Sequence, residues 1–347
     1  MAALTHAGFD VRLASELRTW SNVADSSRLD AFRAQAARET DNLVTTWARD
    51  DSVWAPDIWL TYHAYYKAPD LLGPLVSAKL RLPYVIVEAS YAHQRTIGDW
   101  ADWLAAAREG ITAADAIFNL TARDRKGLSE ICNIERLHDL SPFLDLDAYG
   151  FKRAKLANDT DGAAATTRLI TVAMMRPGAK LSSYELLAAA LGTLLDREWQ
   201  LDIIGDGAAR AAVENAFAAL PANRVRFLGQ LDAPATQRAL GAGDVFVWPG
   251  VDEAFGMVYL EAQAASLPVA ALRTAGVPEV VRHGETGYLA SVATPEALAA
   301  CIERLIDHPA ERRRLGTVAR EIIERHHSLP SASARLDRVL SSLVRLR

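Results

Sequence analysis

The stretch that decides the fold runs from Pro249 to Glu279 and reads PGVDEAFGMVYLEAQAASLPVAALRTAGVPE. A turn that contains Glu253 leads into a helical run beginning near Gly256 and carrying Glu261, and the apolar strand Pro268–Leu272 follows. A helix that starts there presents backbone N–H groups that suit an anion, while carboxylates accept hydrogen bonds from sugar hydroxyls. The pattern therefore indicates a site for a phosphate-bearing, hydroxyl-rich ligand.

The bulk properties of the chain are those of a soluble protein with more than one domain. A length of 347 residues exceeds one comfortable core, so we expect two domains. The formal net charge of −5 gives no sign of nucleic-acid binding. Cys132 and Cys301 lie far apart, which predicts a reducing compartment without a disulfide framework. Since the chain has neither a long apolar run nor a signal peptide, we expect a cytoplasmic location.

Strand-like and helical patterns alternate through most of the chain, which predicts an α/β fold made of two doubly wound, Rossmann-like domains. We expect the first domain at residues 1–150, a linker at 151–167, the second domain at 168–330 and a final helix at 331–347. The predicted strands of the first domain are Asp10–Ala14, Ile58–Thr61, Tyr84–Val87, Ile117–Leu120 and Leu137–Leu140. Those of the second are Leu169–Ala173, Gln200–Ile204, Val225–Leu228, Val245–Trp248 and Pro268–Leu272.

The beginning of the chain departs from this plan. MAALTHAGFDVRLAS resembles the end of a helix, a cap at Gly8 and the strand Asp10–Ala14. A doubly wound domain is expected to start with a strand, a glycine-rich turn and a whole helix. We therefore expect that the first strand and its glycine-rich loop are missing, either because the start was assigned too late or because the lineage lost them.

Two cations, Arg176 and Lys180, follow the predicted strand Leu169–Ala173 in the sequence MMRPGAK. At the carboxyl end of a parallel strand both can point toward a ligand, with a planar fork from Arg and a point charge from Lys. A pair of solvated loop cations explains the local pattern equally well. The nearby glycines Gly205 and Gly207 form only a weak phosphate motif and favour close packing of the backbone.

Taken in order, these motifs resemble the GT-B glycosyltransferases of family 4, and the resemblance covers the C-terminal half. It implies two domains facing a crevice, with Arg176 and Lys180 on the donor diphosphate. The family usually has Gly after that Lys, whereas this chain has Leu181. The final helix is implied to cross back onto the first domain.

The resemblance also implies the remaining donor contacts. Glu253 is expected to contact the transferred sugar, and Glu261 to accept hydrogen bonds from the ribose hydroxyls. The amides of Phe255, Gly256 and Met257 are expected near sugar or phosphate. The segment that ends at Leu231 is expected near the nucleotide base.

The activity implied is that of a retaining glycosyltransferase, hexosyl or related, which uses a nucleotide-diphosphate sugar without a metal or a further cofactor. The expected acceptor is a carbohydrate, a lipid-linked molecule or a small molecule, with peripheral membrane association for a lipid acceptor. Two alternatives stay open: a catalytically inactive nucleotide-sugar-binding protein, and another GT-B enzyme such as a sugar-nucleotide epimerase.

The acceptor side is less explicit in the sequence. Many members of the family carry a His after the strand equivalent to Tyr84–Val87, where this chain has Glu88, our candidate for a catalytic residue there. His63 and His93 also follow predicted strands, but a lone His is more often structural. We interpret Asp145-Leu146-Asp147 as a solvated turn, and His326-His327 as unsuited to a metal because no further ligand is near.

Overall fold

This computed structural model describes residues 1–48, 54–148, 150, 166–253 and 255–345. Contacts divide the chain into two units, the first formed by Met1–Ser141 with Ala332–Arg347 and the second by Pro142–Ser331. Most of the predicted linker, residues 151–165, lies outside the described residues.

The first unit contains a four-stranded parallel sheet in the order β1-β2-β3-β4. Val85, Ile86, Ile117 and Phe118 are fully buried in its two central strands, as expected for parallel strands covered on both faces. The strands are β1 (Trp59–Ala64), β2 (Tyr84–Ala89), β3 (Ala116–Asn119) and β4 (Leu137–Asp139). The helices are α1 (Ala2–His6), α2 (Ser26–Ala48), α3 (Gly73–Leu80), α4 (Ala101–Ala113) and α5 (Ala122–Ser129).

A half-buried carboxylate, Asp70, ties β1 and β2 to α3. Its Oδ1 accepts hydrogen bonds at 2.9 Å from the backbone amides of Leu72 and Gly73, where α3 begins. Its Oδ2 accepts hydrogen bonds from Thr61 of β1 and, at 2.6 Å, from the hydroxyl of Tyr84 of β2. Because four donors surround it, this carboxylate satisfies neighbouring polar groups that would otherwise be costly to bury.

The predicted strand Asp10–Ala14 is wrong. Residues 9–20 form neither helix nor strand, and the sheet of the first unit ends at β1 among the described residues. Leu13 is 68% exposed, and Arg12 forms an ion pair with Asp10 at 3.1 Å. A segment whose largest apolar side chain stays in solvent lacks the burial that stabilises a parallel strand.

The second unit contains a six-stranded parallel sheet in the order β10-β9-β8-β5-β6-β7, which is the order of a doubly wound fold. The strands are β5 (Thr167–Val172), β6 (Trp199–Ile204), β7 (Val225–Gly229), β8 (Val245–Val247), β9 (Val269–Leu272) and β10 (Gly287–Ala290). The helices are α6 (Ala179–Gly192), α7 (Arg210–Phe217), α8 (Ala233–Gly241), α9 (Met257–Ala264), α10 (Val277–Val280), α11 (Pro295–Asp307) and α12 (Pro309–His326).

These two parallel sheets confirm the predicted α/β fold class, and nine of the ten predicted strands are present within one to three residues of their expected ends. Strand β10 was not predicted. The last helix is α13 (Leu329–Arg345), and from Ala332 onward it belongs to the first unit. Arg335 of this helix donates a hydrogen bond at 3.0 Å to the carbonyl of Asp139 at the end of β4.

The glycine turn after β6 is packed against the backbone that follows β5. A Cβ at Gly205 would lie 1.9 Å from the carbonyl oxygen of Ala173, and one at Gly207 would lie 2.4 Å from that of Met175. The amide of Met175 donates to the carbonyl of Asp206 at 2.9 Å, and that of Ala209 donates back to Met175. These close backbone contacts explain why both positions are glycine without invoking a bound phosphate.

We predict that Gly205→Ala destabilises the protein by about 3 kcal/mol or more, because the new methyl group collides with backbone at a φ of +141° that strains an alanine. Urea unfolding followed by circular dichroism measures the loss. Gly241→Ala is the matched control, since its Cβ would meet no atom within 4 Å. Equal stability of the two variants would contradict the packing interpretation.

Candidate functional site

The strand order of the second unit reverses between β5 and β8, which pair directly in the centre of the sheet. The segments that follow these two strands leave toward opposite edges, so their first residues open a space at the carboxyl end of the sheet. The segment after β5 carries Arg176 and Lys180, and the segment after β8 carries Glu253. This topology brings together residues that are separated by about a fifth of the chain.

The side chains of Lys180 and Glu253 form an ion pair at this reversal. Their exposed fractions are 27% and 18%, so the pair is mostly buried while remaining open to a ligand. The ammonium group also lies 5.4 Å from the ring centroid of Trp248, whose Nε1 is 3.5 Å from Glu253 Oε2. The carboxylate and the indole therefore compensate the charge of the lysine.

The turn between β8 and α9 is held by glycines in the left-handed region. Gly250 and Gly256 have φ values of 70° and 68°, and a Cβ on either would lie within 2.7 Å of the Tyr259 ring or its hydroxyl. That hydroxyl donates to the carbonyl of Trp248 at 3.1 Å. Glu253 is therefore carried on a segment packed tightly against the first turn of α9.

Helix α9 begins at Met257, as the sequence predicted, and no side chain caps it at Gly256. Its first amides are therefore free of a side-chain cap and suit an anion. Glu261 lies half-buried in the second turn, and Met257 is 36% exposed. Phe255 packs against the apolar core of the unit.

Two other predicted donor residues, Arg176 and Leu231, do not join the Lys180–Glu253 pair. Arg176 is exposed after β5 and makes no ion pair or side-chain hydrogen bond with the described residues. Leu231 follows β7, two strands away from β5, and packs partly buried against the core. The amide of Val251 donates to Ser183 Oγ at 3.0 Å, and this contact links the turn to α6.

In the first unit, Glu88 lies beside His63. No contact between these two residues had been predicted from the sequence. The Nδ1 atom of His63 is 3.1 Å from Oε1 of Glu88. Both residues have positive φ, 65° and 63°, and they are the next-to-last residues of the neighbouring parallel strands β1 and β2. The signal in the sequence was the position of each residue at a strand end, but only the register of the sheet shows that they meet.

Electrostatics shift the pKa values of this pair in opposite directions. The hydrogen bond to Glu88 raises the pKa of His63, although burial acts against it. Burial alone would raise the pKa of Glu88, but hydrogen bonds from His63 and Tyr62 outweigh it and lower the pKa. The pair is therefore ionised over a wider pH range than either group would be alone.

Asp145-Leu146-Asp147 and His326-His327, which we set aside as metal sites on the sequence, each contain a side chain that is hydrogen-bonded to the backbone. Asp145 Oδ1 accepts a hydrogen bond from the amide of Ala148 at 3.1 Å, which forms a turn. His327 is buried, and its Nδ1 lies 2.7 Å from the carbonyl oxygen of Pro142. Across the described ranges, no group of three or more His, Cys, Asp or Glu side chains could hold a metal ion. None of the helices described is both long and apolar enough to cross a membrane.

Part of the second unit is similar to a known protein family. Residues 166–308 match the family model described as Glycosyl transferases group 1. This segment contains Arg176, Lys180, Glu253 and Glu261, and it is shorter than half of the chain.

Two curated relatives differ in how much of the chain they match. Over 147 residues the chain is 33% identical to the sulfoquinovosyl transferase SQD2 of Arabidopsis thaliana, covering 42% of this chain and 28% of that protein. Over 323 residues it is 26% identical to the alpha-D-kanosaminyltransferase of Streptomyces kanamyceticus, covering 85% and 82%. The chain thus spans under a third of the first relative and most of the second.

The fold also matches a solved structure. The Anabaena protein HepE, in complex with UDP and glucose, superposes with a TM-score of 0.64 at 20% identity, covering 89% of this chain and 82% of that chain. At this level of identity the likeness establishes the fold alone, and it agrees with two Rossmann-like units.

We predict that Glu88→Gln destabilises the protein more at about pH 5.5 than at about pH 8.5. The carboxylate contributes stability above the ordinary glutamate pKa of 4.5, and this is lost as pH falls through its lowered folded pKa. The imidazolium contributes below the ordinary histidine pKa of 6.5, and this is lost as pH rises through its raised folded pKa. Stabilisation by the pair is therefore greatest between pH 4.5 and pH 6.5, the ordinary pKa values of the two groups.

Urea unfolding at the two pH values measures this effect. The difference should stay below about 1 kcal/mol, because solvent screens the half-exposed imidazole. Glu130→Gln is the matched control, since Glu130 faces the more exposed His93 at 3.5 Å. A loss for Glu88→Gln that does not depend on pH would show that the pair is not ionised in the folded protein.

Proposed function

We propose that this protein is a retaining glycosyltransferase, which transfers a sugar from a nucleotide-diphosphate donor to an acceptor hydroxyl without a metal ion. The observation that carries the proposal is the Lys180–Glu253 pair at the strand reversal of the second unit. This pair lies within the segment that matches Glycosyl transferases group 1. A cation and a carboxylate at one strand reversal are suited to a diphosphate and a sugar, respectively.

Charge development explains how these residues would act. When the bond between the anomeric carbon and the diphosphate breaks, its electron pair stays on the phosphate oxygen. The acceptor oxygen forms the new bond to that carbon and passes its proton to the departing phosphate oxygen. Lys180, Arg176 and the uncapped amides at the start of α9 would stabilise the negative charge on the departing diphosphate. Preorganised charges of this kind lower the barrier most where water is excluded.

The carboxylates would then hold hydroxyl groups. Once a phosphate binds Lys180, Glu253 loses its cationic partner and can accept hydrogen bonds from the sugar. Glu261, on the second turn of α9, would accept hydrogen bonds from the ribose. Glu253 is thus a catalytic residue in this scheme, together with Arg176 and Lys180, while Phe255, Gly256 and Met257 offer backbone contacts.

The relatives support this choice of donor. The Arabidopsis protein is named a sulfoquinovosyl transferase and the Streptomyces protein an alpha-D-kanosaminyltransferase, and HepE was solved with UDP and glucose. A nucleoside diphosphate sugar is therefore the donor class to test first. The activity of the whole chain, its hexosyl specificity and a cytoplasmic location are parts of the same proposal.

A second function, donor binding without turnover, is favoured by two observations. Lys180 and Glu253 already neutralise each other, and Leu181 stands where the related enzymes have a glycine. A protein in which this pair never opens would hold a nucleotide weakly and transfer no sugar. Release of nucleoside diphosphate from its sugar conjugate in the presence of acceptors distinguishes turnover from binding.

We predict that Lys180→Ala weakens binding of a nucleoside diphosphate by about 10- to 100-fold, the effect of losing a hydrogen bond to a charged group. Calorimetry with a panel of nucleoside diphosphates measures it on the whole chain. Lys79→Ala is the control, because that lysine also pairs with a carboxylate, Asp41, but on the surface of the first unit. Unchanged affinity in Lys180→Ala would remove Lys180 from the donor site.

We further predict that Glu253→Gln binds a nucleoside diphosphate without sugar several-fold more tightly, because Lys180 no longer has a competing carboxylate. The same variant should transfer sugar on the order of 10²-fold more slowly, since a group that stabilises the transition state is lost. Calorimetry and a product-release assay give the two values. Parallel changes in binding and in turnover would contradict the separate roles of Lys180 and Glu253.

A further inference from the structure

The carboxyl end of β1 carries a series of aromatic side chains that the donor site does not use. His63 and Tyr65 meet with ring centroids 4.8 Å apart, Tyr65 and Tyr66 at 5.7 Å, and Tyr66 and Trp100 at 5.1 Å. Tyr62 lies 6.0 Å from His63 and is 68% exposed. We call Tyr62, His63, Tyr65, Tyr66 and Trp100 the aromatic face.

Polar groups border the aromatic face on two sides. Lys67 lies 5.8 Å from the ring centroid of Tyr66 and 5.5 Å from that of Trp100, and Arg95 lies 5.6 Å from that of Tyr66. On the other side, His63 pairs with Glu88. The face therefore combines apolar ring surfaces with hydrogen-bonding groups at its edges, a composition typical of small-molecule sites.

The His63–Glu88 pair is built at a cost that packing does not explain. Both residues adopt the left-handed region, which is unfavourable for residues with a Cβ by about 1 kcal/mol or more each. The Oε2 atom of Glu88 is buried without a hydrogen-bond partner among the described residues. Strain and an unsatisfied carboxylate oxygen at adjacent strand ends are features that proteins retain at functional sites.

The geometry leaves one edge of the imidazole available. Since Nδ1 faces Glu88, Nε2 is directed away from the carboxylate, and no hydrogen bond to Nε2 is found within the described residues. Tyr65 packs edge-on against the same ring and fixes its orientation. His63 thus offers a positioned nitrogen to a hydroxyl group beside the exposed ring of Tyr62.

We propose that the aromatic face binds the ring of a hydroxylated acceptor, a carbohydrate or a cyclitol. The C–H face of such a ring packs on Tyr62, while His63 Nε2 binds one of its hydroxyl groups; Lys67 and Arg95 border the same aromatic series on the side of Tyr66. A purely apolar lipid chain fits less well, because it would leave these polar groups without partners. This inference rests on the proposed transferase function, in which it supplies the acceptor class.

Saturation-transfer NMR on the whole chain tests the proposal with methyl α-D-glucopyranoside, methyl α-D-mannopyranoside and myo-inositol as probes. At least one probe should receive saturation from the wild type. Tyr62→Ala and His63→Asn should each reduce that signal at least several-fold. His93→Asn should leave it unchanged, since His93 pairs with Glu130 at 3.5 Å and does not belong to the aromatic face.

Three results would overturn the proposal: no saturation of any probe, equal signals in wild type and both variants, or binding of phosphatidylglycerol vesicles that both substitutions abolish while the sugars do not bind. Thermal melts of the variants separate loss of binding from loss of fold. Calorimetry with nucleoside diphosphates keeps the two proposals apart, because Tyr62→Ala and His63→Asn should retain nucleotide binding. Sugar binding without nucleotide binding would refute the transferase and leave the aromatic face as a carbohydrate site.

Discussion

The reversal of strand order at β5 is the constraint on which the second unit depends. β5 is paired to β6 on one side and to β8 on the other, so the chain must leave β5 and β8 in opposite directions. The hydroxyl of Thr171, buried in β5, donates to the carbonyl of Val247 at the end of β8. On the β6 side, Gly205 and Gly207 allow the next turn to lie directly on the residues after β5. The space that remains at this reversal is where Lys180 and Glu253 meet.

Much of the fold could be predicted because parallel strands buried on both faces appear as short apolar runs. Val245–Trp248 and Tyr84–Val87 were located this way, and both coincide with strands to within two residues. The same signal fails where apolar residues do not become buried, as with Leu13 in Asp10–Ala14. It also fails for β10, whose sequence Gly-Tyr-Leu-Ala is too short and mixed to stand out. Whether a segment is buried depends on the helices and strands that pack against it, and a local sequence pattern does not contain that information.

The candidate site was predicted residue by residue but not as a set of contacts. The sequence assigned Lys180 and Glu253 to the same ligand, yet the ion pair between them joins positions 73 residues apart. His63 was interpreted as structural because a lone His more often is, and nothing in the local sequence pointed to Glu88 as its partner. The pairing follows from the register of β1 on β2, which depends on the whole sheet. The sequence therefore indicates which residues are candidates for the site, whereas the contacts between them depend on the topology of the sheet.

The free-energy cost of burying charged groups differs between the exposed and the buried ion pairs of this protein. Exposed pairs such as Lys79 with Asp41 gain little and cost little. The Lys180–Glu253 pair is mostly buried, and at such a site desolvation can exceed the Coulombic gain, so well-packed apolar residues would often be equally stable. The pair is thus poorly explained by stability alone. A ligand that offers a phosphate to the lysine and hydroxyls to the carboxylate replaces one set of partners with another. Because the lysine gains the phosphate and the carboxylate gains hydroxyl donors, such an exchange avoids leaving a buried charge without hydrogen-bonding partners, which is the costly state.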